Sequence, residues 1–90
     1  MKKGKVIDGV NYCPHSNGGG LVAETAKVSK TAYIGSNARI SGDAIIKNHA
    51  SIIDNATVSD NAVVRNYAKI RDNAKIRDNA EVSGHAEVSG

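Results

Sequence analysis

"SDNAVVRNYAKIRDNAKI", residues Ser59 to Ile76, places an alanine at every sixth position and an aliphatic residue two positions after each one. Ala62 leads to Val64, Ala68 to Ile70 and Ala74 to Ile76. The pattern extends in both directions, from Ala26 and Val28 to Ala86 and Val88, as eleven consecutive hexads without an insertion. Val22 can start the series one unit earlier.

A six-residue period is incompatible with one face of an α-helix, because 3.6 residues per turn would carry the alanines around every side. Residues two apart do share one face of a strand. The residue between them then points outward, and those positions are mixed: Lys27, Arg39, Thr57, Lys75, Glu81. The next three residues of each hexad are rich in Ser, Gly, Asp and Asn, which favour turns. Each hexad therefore reads as a short strand followed by a corner. Composition agrees. The 90 residues suit one small domain, yet they include no Trp or Phe and only one Leu, Leu21. Such a chain needs thin, regular layers of Ala, Val and Ile rather than a core of Leu and Phe.

On these residues the chain resembles the hexapeptide-repeat family, whose pattern is an aliphatic residue followed four positions later by a small one; "VSDNAV" and "IRDNAK" fit it. The match covers residues 22–88. It implies an all-β fold, a single-stranded left-handed parallel β-helix with three hexads per coil. The stretch "HSNGGGLVAETAKV" (His15–Val28) also resembles the lead-in of uncharacterised bacterial and phage hexapeptide proteins. The expected organisation is an N-terminal capping or arm segment, residues 1–20, and a β-helix, residues 21–90. "KVIDGV" (Lys5–Val10) is a candidate strand covering the first coil, and Gly18, Gly19 and Gly20 mark the break before the repeats.

Three hexads per coil stack residues i and i+18, with parallel strands about 4.8 Å apart. The expected interior columns are Val28–Ile46–Val64–Val82, Ile34–Ile52–Ile70–Val88 and Ile40–Val58–Ile76, with alanines beside them. The residue before each Ala falls at a corner: Asn37–Asn55–Asn73, Asp43–Asn61–Asn79 and Thr31–His49–Tyr67–His85. Asn, Asp and His tolerate positive φ best among non-glycine residues, so these positions are expected to use it, with stacked Asn side chains bonded along the column.

The chemistry-bearing residues are few. His49 and His85 share a corner column with Tyr67 between them and lie about 9.6 Å apart by strand spacing, too far to share one zinc. The resemblance implies a second reading, a minimal acyltransferase-type enzyme with its active site between subunits of a trimer. His49 or His85 would then be the candidate general base. Cys13 and His15 flank Pro14 and could begin a metal or thiol site, although a capping segment explains them better. "NGGG" lacks the Lys and Ser/Thr of a phosphate loop. Lys47 and Arg65 stack and could hold an anion; Arg65, Arg71 and Arg77, with Asp60, Asp72 and Asp78 nearby, read as a charged girdle. No cofactor or metal is implied.

The formal charge of +3 is mild, and no basic patch interleaved with aromatics points to nucleic acid. No apolar run approaches the roughly 18 residues of a membrane span. The start lacks the apolar stretch of a signal peptide, so cytoplasmic synthesis is expected, with a virion or another secretion route open. Cys13 is the single cysteine, which excludes an internal disulfide.

Two surfaces are expected to make contacts. Ile45 and Val63 stack on an outward face, with Ile53 at a corner. After Val88 only Ser89 and Gly90 remain, so the last coil is expected to expose Val82, Ala86 and Val88 as an assembly edge. The leading functional expectation is a structural, self-assembling β-solenoid module, a homo-oligomer formed by end-to-end stacking or as a side-by-side trimer.

Overall fold

The computed structural model describes residues 5–7 and 9–89. They contain strands and turns and no helix, and so no helix able to cross a membrane. The strands are β1 (Lys5–Ile7), β2 (Val10–Pro14), β3 (Leu21–Ala23), β4 (Lys27–Val28), β5 (Tyr33–Ile34), β6 (Arg39–Ile40), β7 (Ile45–Ile46), β8 (Ser51–Ile52), β9 (Thr57–Val58), β10 (Val63–Val64), β11 (Lys69–Ile70), β12 (Lys75–Ile76), β13 (Glu81–Val82) and β14 (Glu87–Val88).

From β3 to β11 each strand pairs in parallel with the strand three elements later, and the chain winds as a three-sided β-solenoid. The first side carries β3-β6-β9-β12, the second β4-β7-β10-β13 and the third β5-β8-β11-β14. The register is uniform: Val64 faces Ile46 and Val82, and Ile70 faces Ile52 and Val88. The Ile/Val columns lie inside as the repeat requires. Ile34, Ile40, Ile52, Val58, Val64 and Ile70 are wholly buried, as are Ala44, Ala50, Ala56, Ala62 and Ala68. Two-residue strands suffice because each is held from above and below, and a one-methyl residue at each corner leaves room for the β-branched residue beside it.

Each corner closes with a β-turn in which the Ala N–H bonds to the carbonyl three residues earlier, as in Ala50 to Lys47 (3.3 Å) and Ala56 to Ile53 (3.2 Å). The left-handed residue is not the one before Ala. Positive φ falls one position earlier, at Asn48, Asp54, Asp60, Asn66, Asp72 and Asp78, all near 60°, and at Gly42 and Gly84. This corrects the expectation for Asn37, Asn55, Asn73, Asp43, Asn61, Asn79, Thr31, His49, Tyr67 and His85. The bonded column also shifts. Asn48 Oδ1 accepts the N–H of Asn66 (3.0 Å), Asp54 Oδ2 that of Asp72 (3.1 Å) and Asp60 Oδ2 that of Asp78 (3.2 Å). A short carbonyl-bearing side chain both tolerates the conformation and caps the backbone of the next coil.

The strand on the first coil is also not the one expected. β2 pairs antiparallel with β3 (Cys13 opposite Val22), and β1 lies outside β2 as the outer strand of a hairpin. Gly9, at φ 78°, turns the chain between them. Tyr12 is buried on β2, with the Arg39 guanidinium 5.8 Å from its ring centroid. The glycine stretch then lies across β5. Gly20 N–H bonds to the Ile34 carbonyl (2.9 Å), and Ile34 N–H to the Asn17 carbonyl (3.0 Å). A Cβ on Gly18 would meet the Ile34 oxygen at 2.2 Å, and one on Gly20 would meet Ile34 Cγ2 at 2.3 Å. Only glycine permits that approach.

Candidate functional site

The corner between the second and third sides gathers the aromatic residues of the repeats into one ladder. Its column is Thr31, His49, Tyr67 and His85, each directly after the left-handed position or its equivalent. Uniform coil spacing brings the rings into register. His49 and Tyr67 stack with centroids 5.4 Å apart and planes 14° from parallel; Tyr67 and His85 stack at 5.1 Å and 6°. All three are exposed, Tyr67 by 59%. The ring faces lie against each other and the ring edges border solvent. Sequence reasoning found the column but took it for tolerance of positive φ. Its actual asset is planarity, which the turn's second residue can carry because its own φ is ordinary.

Charged residues flank the ladder. Lys47 and Arg65 precede the corner by one position, and Lys69 follows Tyr67 on β11. Arg65 pairs with Glu81 at 2.7 Å and Arg71 with Glu87 at 2.8 Å. Arg65 and Arg71 therefore reach glutamates of the neighbouring coil rather than Asp60, Asp72 and Asp78, and Arg77 has no carboxylate within 4.0 Å among the described residues. Both pairs are about half exposed, and such pairs contribute about 0–1 kcal/mol.

The remaining candidates disperse. Ile45 and Val63 form neighbouring half-buried positions on β7 and β10, beside a shallow depression lined by Lys27, Ser29, Ile45 and Lys47. Ile53 is half-buried at a different corner, so the three do not make one patch. At the far end of the coils Val82 and Val88 are half-buried against the core and Ala86 is exposed. His15 Nε2 lies 3.0 Å from the Ala32 carbonyl, beside the Asn17 amide at 3.2 Å from the same oxygen. A carbonyl only accepts, so that His15 nitrogen carries its proton and serves the cap. Cys13 is exposed on β2. Among the described residues no three His, Cys, Asp or Glu side chains come together as a metal site.

Comparison with protein-family models, curated proteins and solved structures found no significant match.

Proposed function

We propose that this chain is a structural, self-assembling β-solenoid interaction module, and that its setting is a phage or bacterial surface assembly, in keeping with the resemblance of its His15–Val28 lead-in to bacterial and phage hexapeptide proteins. The observation that carries this reading is the unbroken register of the three sides. Every coil offers the next the same Ile/Val–Ala layer and the same row of backbone groups. The lower edge of β12, β13 and β14 offers that surface once more, and whatever lies on it, further coils or a second copy, meets a ready template.

The opposite end supports a direction. There β2 occupies the edge of β3, and Asn17 to Gly20 occupy the edge of β5. Two of the three sides are thus already paired. Copies of this chain that associate by their coil ends meet tail to tail, which closes as a two-fold dimer rather than propagating. The face-to-face engagement of His49 and His85 with Tyr67 supports a structural part for that column as well.

The test is the mass in solution by light scattering. The chain is expected at a multiple of its monomer mass of 9.4 kDa. A six-residue extension after Gly90 with aspartate at both inward positions should reduce it to the monomer. A monomeric parent chain would refute self-assembly, and an unchanged oligomer would move the contact to the lateral faces.

A further inference from the structure

The fold does not dictate which corners are charged. Asn48 and Asp54 do the same backbone work, each at φ near 60° and each accepting an N–H from the coil below. Yet the two kinds are sorted. The left-handed positions of the aromatic corner are Asn48, Asn66 and Gly84. Those of the other two corners are Asp54 and Asp72, and Gly42, Asp60 and Asp78. The corner without aspartate is flanked by Lys47, Arg65 and Lys69, with Glu87 opposite Lys69 in the strand register; Arg71, Lys75 and Arg77 flank the other corners, but there beside aspartates. Arg65 is engaged with Glu81, whereas Lys47 and Lys69 have no carboxylate within 4.0 Å among the described residues. Aspartate is thus absent from the left-handed positions of one corner whose backbone would accept it there.

The ring geometry narrows the ligand. Because both faces of Tyr67 and one face each of His49 and His85 are taken within the ladder, a flat base cannot stack between the rings. What the corner presents is a line of ring edges, with imidazole nitrogens and a phenol hydroxyl repeating every 5.1–5.4 Å along the axis. Such a line suits hydroxyl groups repeated along an extended chain, and the lysines beside it suit carboxylates on that chain.

We propose that this corner binds a linear acidic polysaccharide laid along the solenoid axis, with the ring edges hydrogen-bonding its hydroxyls and Lys47 and Lys69 meeting its carboxylates. The site is independent of the coil ends, so it stands whether or not the chain self-assembles.

Titration of the whole chain with alginate, polygalacturonate and hyaluronate, with dextran as the neutral polymer and oligo-dT as the single-stranded nucleic acid, tests this. Binding of at least one acidic polysaccharide is expected, with none of dextran and weaker binding of oligo-dT. Lys47→Gln with Lys69→Gln should weaken it at least tenfold, whereas Lys75→Gln, on the first side, should leave it within twofold. Tyr67→His keeps a ring in the ladder and should retain binding. Tyr67→Thr, the residue type the column already carries at Thr31, should weaken it tenfold with the circular dichroism spectrum unchanged. No binding to any of the three acidic polymers, equal loss in Lys75→Gln, or tighter binding of oligo-dT would each overturn the proposal.

Discussion

One residue in six at each corner carries a double task. Asp54 holds φ at 58° and its carboxylate accepts the N–H of Asp72. Replacing it with alanine removes the acceptor and puts a less tolerant residue in the left-handed region. Asp54→Ala should cost about 1–2 kcal/mol in denaturant unfolding, whereas Asn55→Ala, at the next position, should stay within about 0.5 kcal/mol. Equal costs would return the strained position to the residue before Ala. The true position was legible. From Gly42 to Gly84, the residue two before each Ala is only Gly, Asn or Asp, while the residue directly before it includes Tyr67, a poor left-handed residue. Facing along the strands was fully legible, because a two-residue alternation leaves one choice. Ile70→Asp puts a carboxylate at a wholly buried site with no partner and should cost several kcal/mol or unfold the chain. Lys69→Asp, beside it and exposed, should change unfolding little.

At the scale of elements, the repeats were readable and the cap was less so. Repeats announce themselves through periodicity, which the first twenty residues lack. "VIDGVN" (Val6–Asn11) does hold the Asp-Gly pair that marks a tight hairpin, and it could have split the single expected strand into β1 and β2. That β2 would run antiparallel on β3 needed the three-dimensional course of the glycine stretch. That course can be tested by two glycine substitutions with opposite outcomes. Gly20→Ala drives a methyl into Ile34 and should destabilise the chain by about 1–3 kcal/mol. Gly84→Asn meets open space at φ 67°, a conformation that Asn48 and Asn66 hold at the equivalent positions, so it should be near neutral. Thermal unfolding of the two variants checks both. A harmless Gly20→Ala would mean that the stretch does not seat on β5.

At the scale of the whole molecule, the two ends differ in kind. The upper end is covered on two of its three sides, by β2 on β3 and by Asn17 to Gly20 on β5. The lower end presents the outer edges of β12, β13 and β14, with Val82 and Val88 half-buried above it. The tail-to-tail contact proposed above rests on the hairpin, which no periodicity encodes. The surface that sets the aromatic corner apart was legible only in part. The column of rings followed from the count of eighteen, but the sorting of Asn from Asp around the three corners emerged only once the left-handed position was located.

The central claim is that this lower edge recognises another copy, and amide hydrogen exchange followed by NMR measures it directly. In the upper coils the N–H groups of Thr57, Ser59, Val63, Arg65 and Lys69 each bond to a carbonyl of the coil below. Their counterparts on the lower edge are Lys75, Arg77, Glu81, Ser83 and Glu87, whose N–H groups find no such acceptor among the described residues. Assembly through the coil ends predicts that these five amides are protected at high protein concentration and exchange freely on dilution to the monomer, while Thr57 and Val63 stay protected at both. Free exchange of the five at every concentration, in a sample that light scattering shows to be oligomeric, would contradict the account.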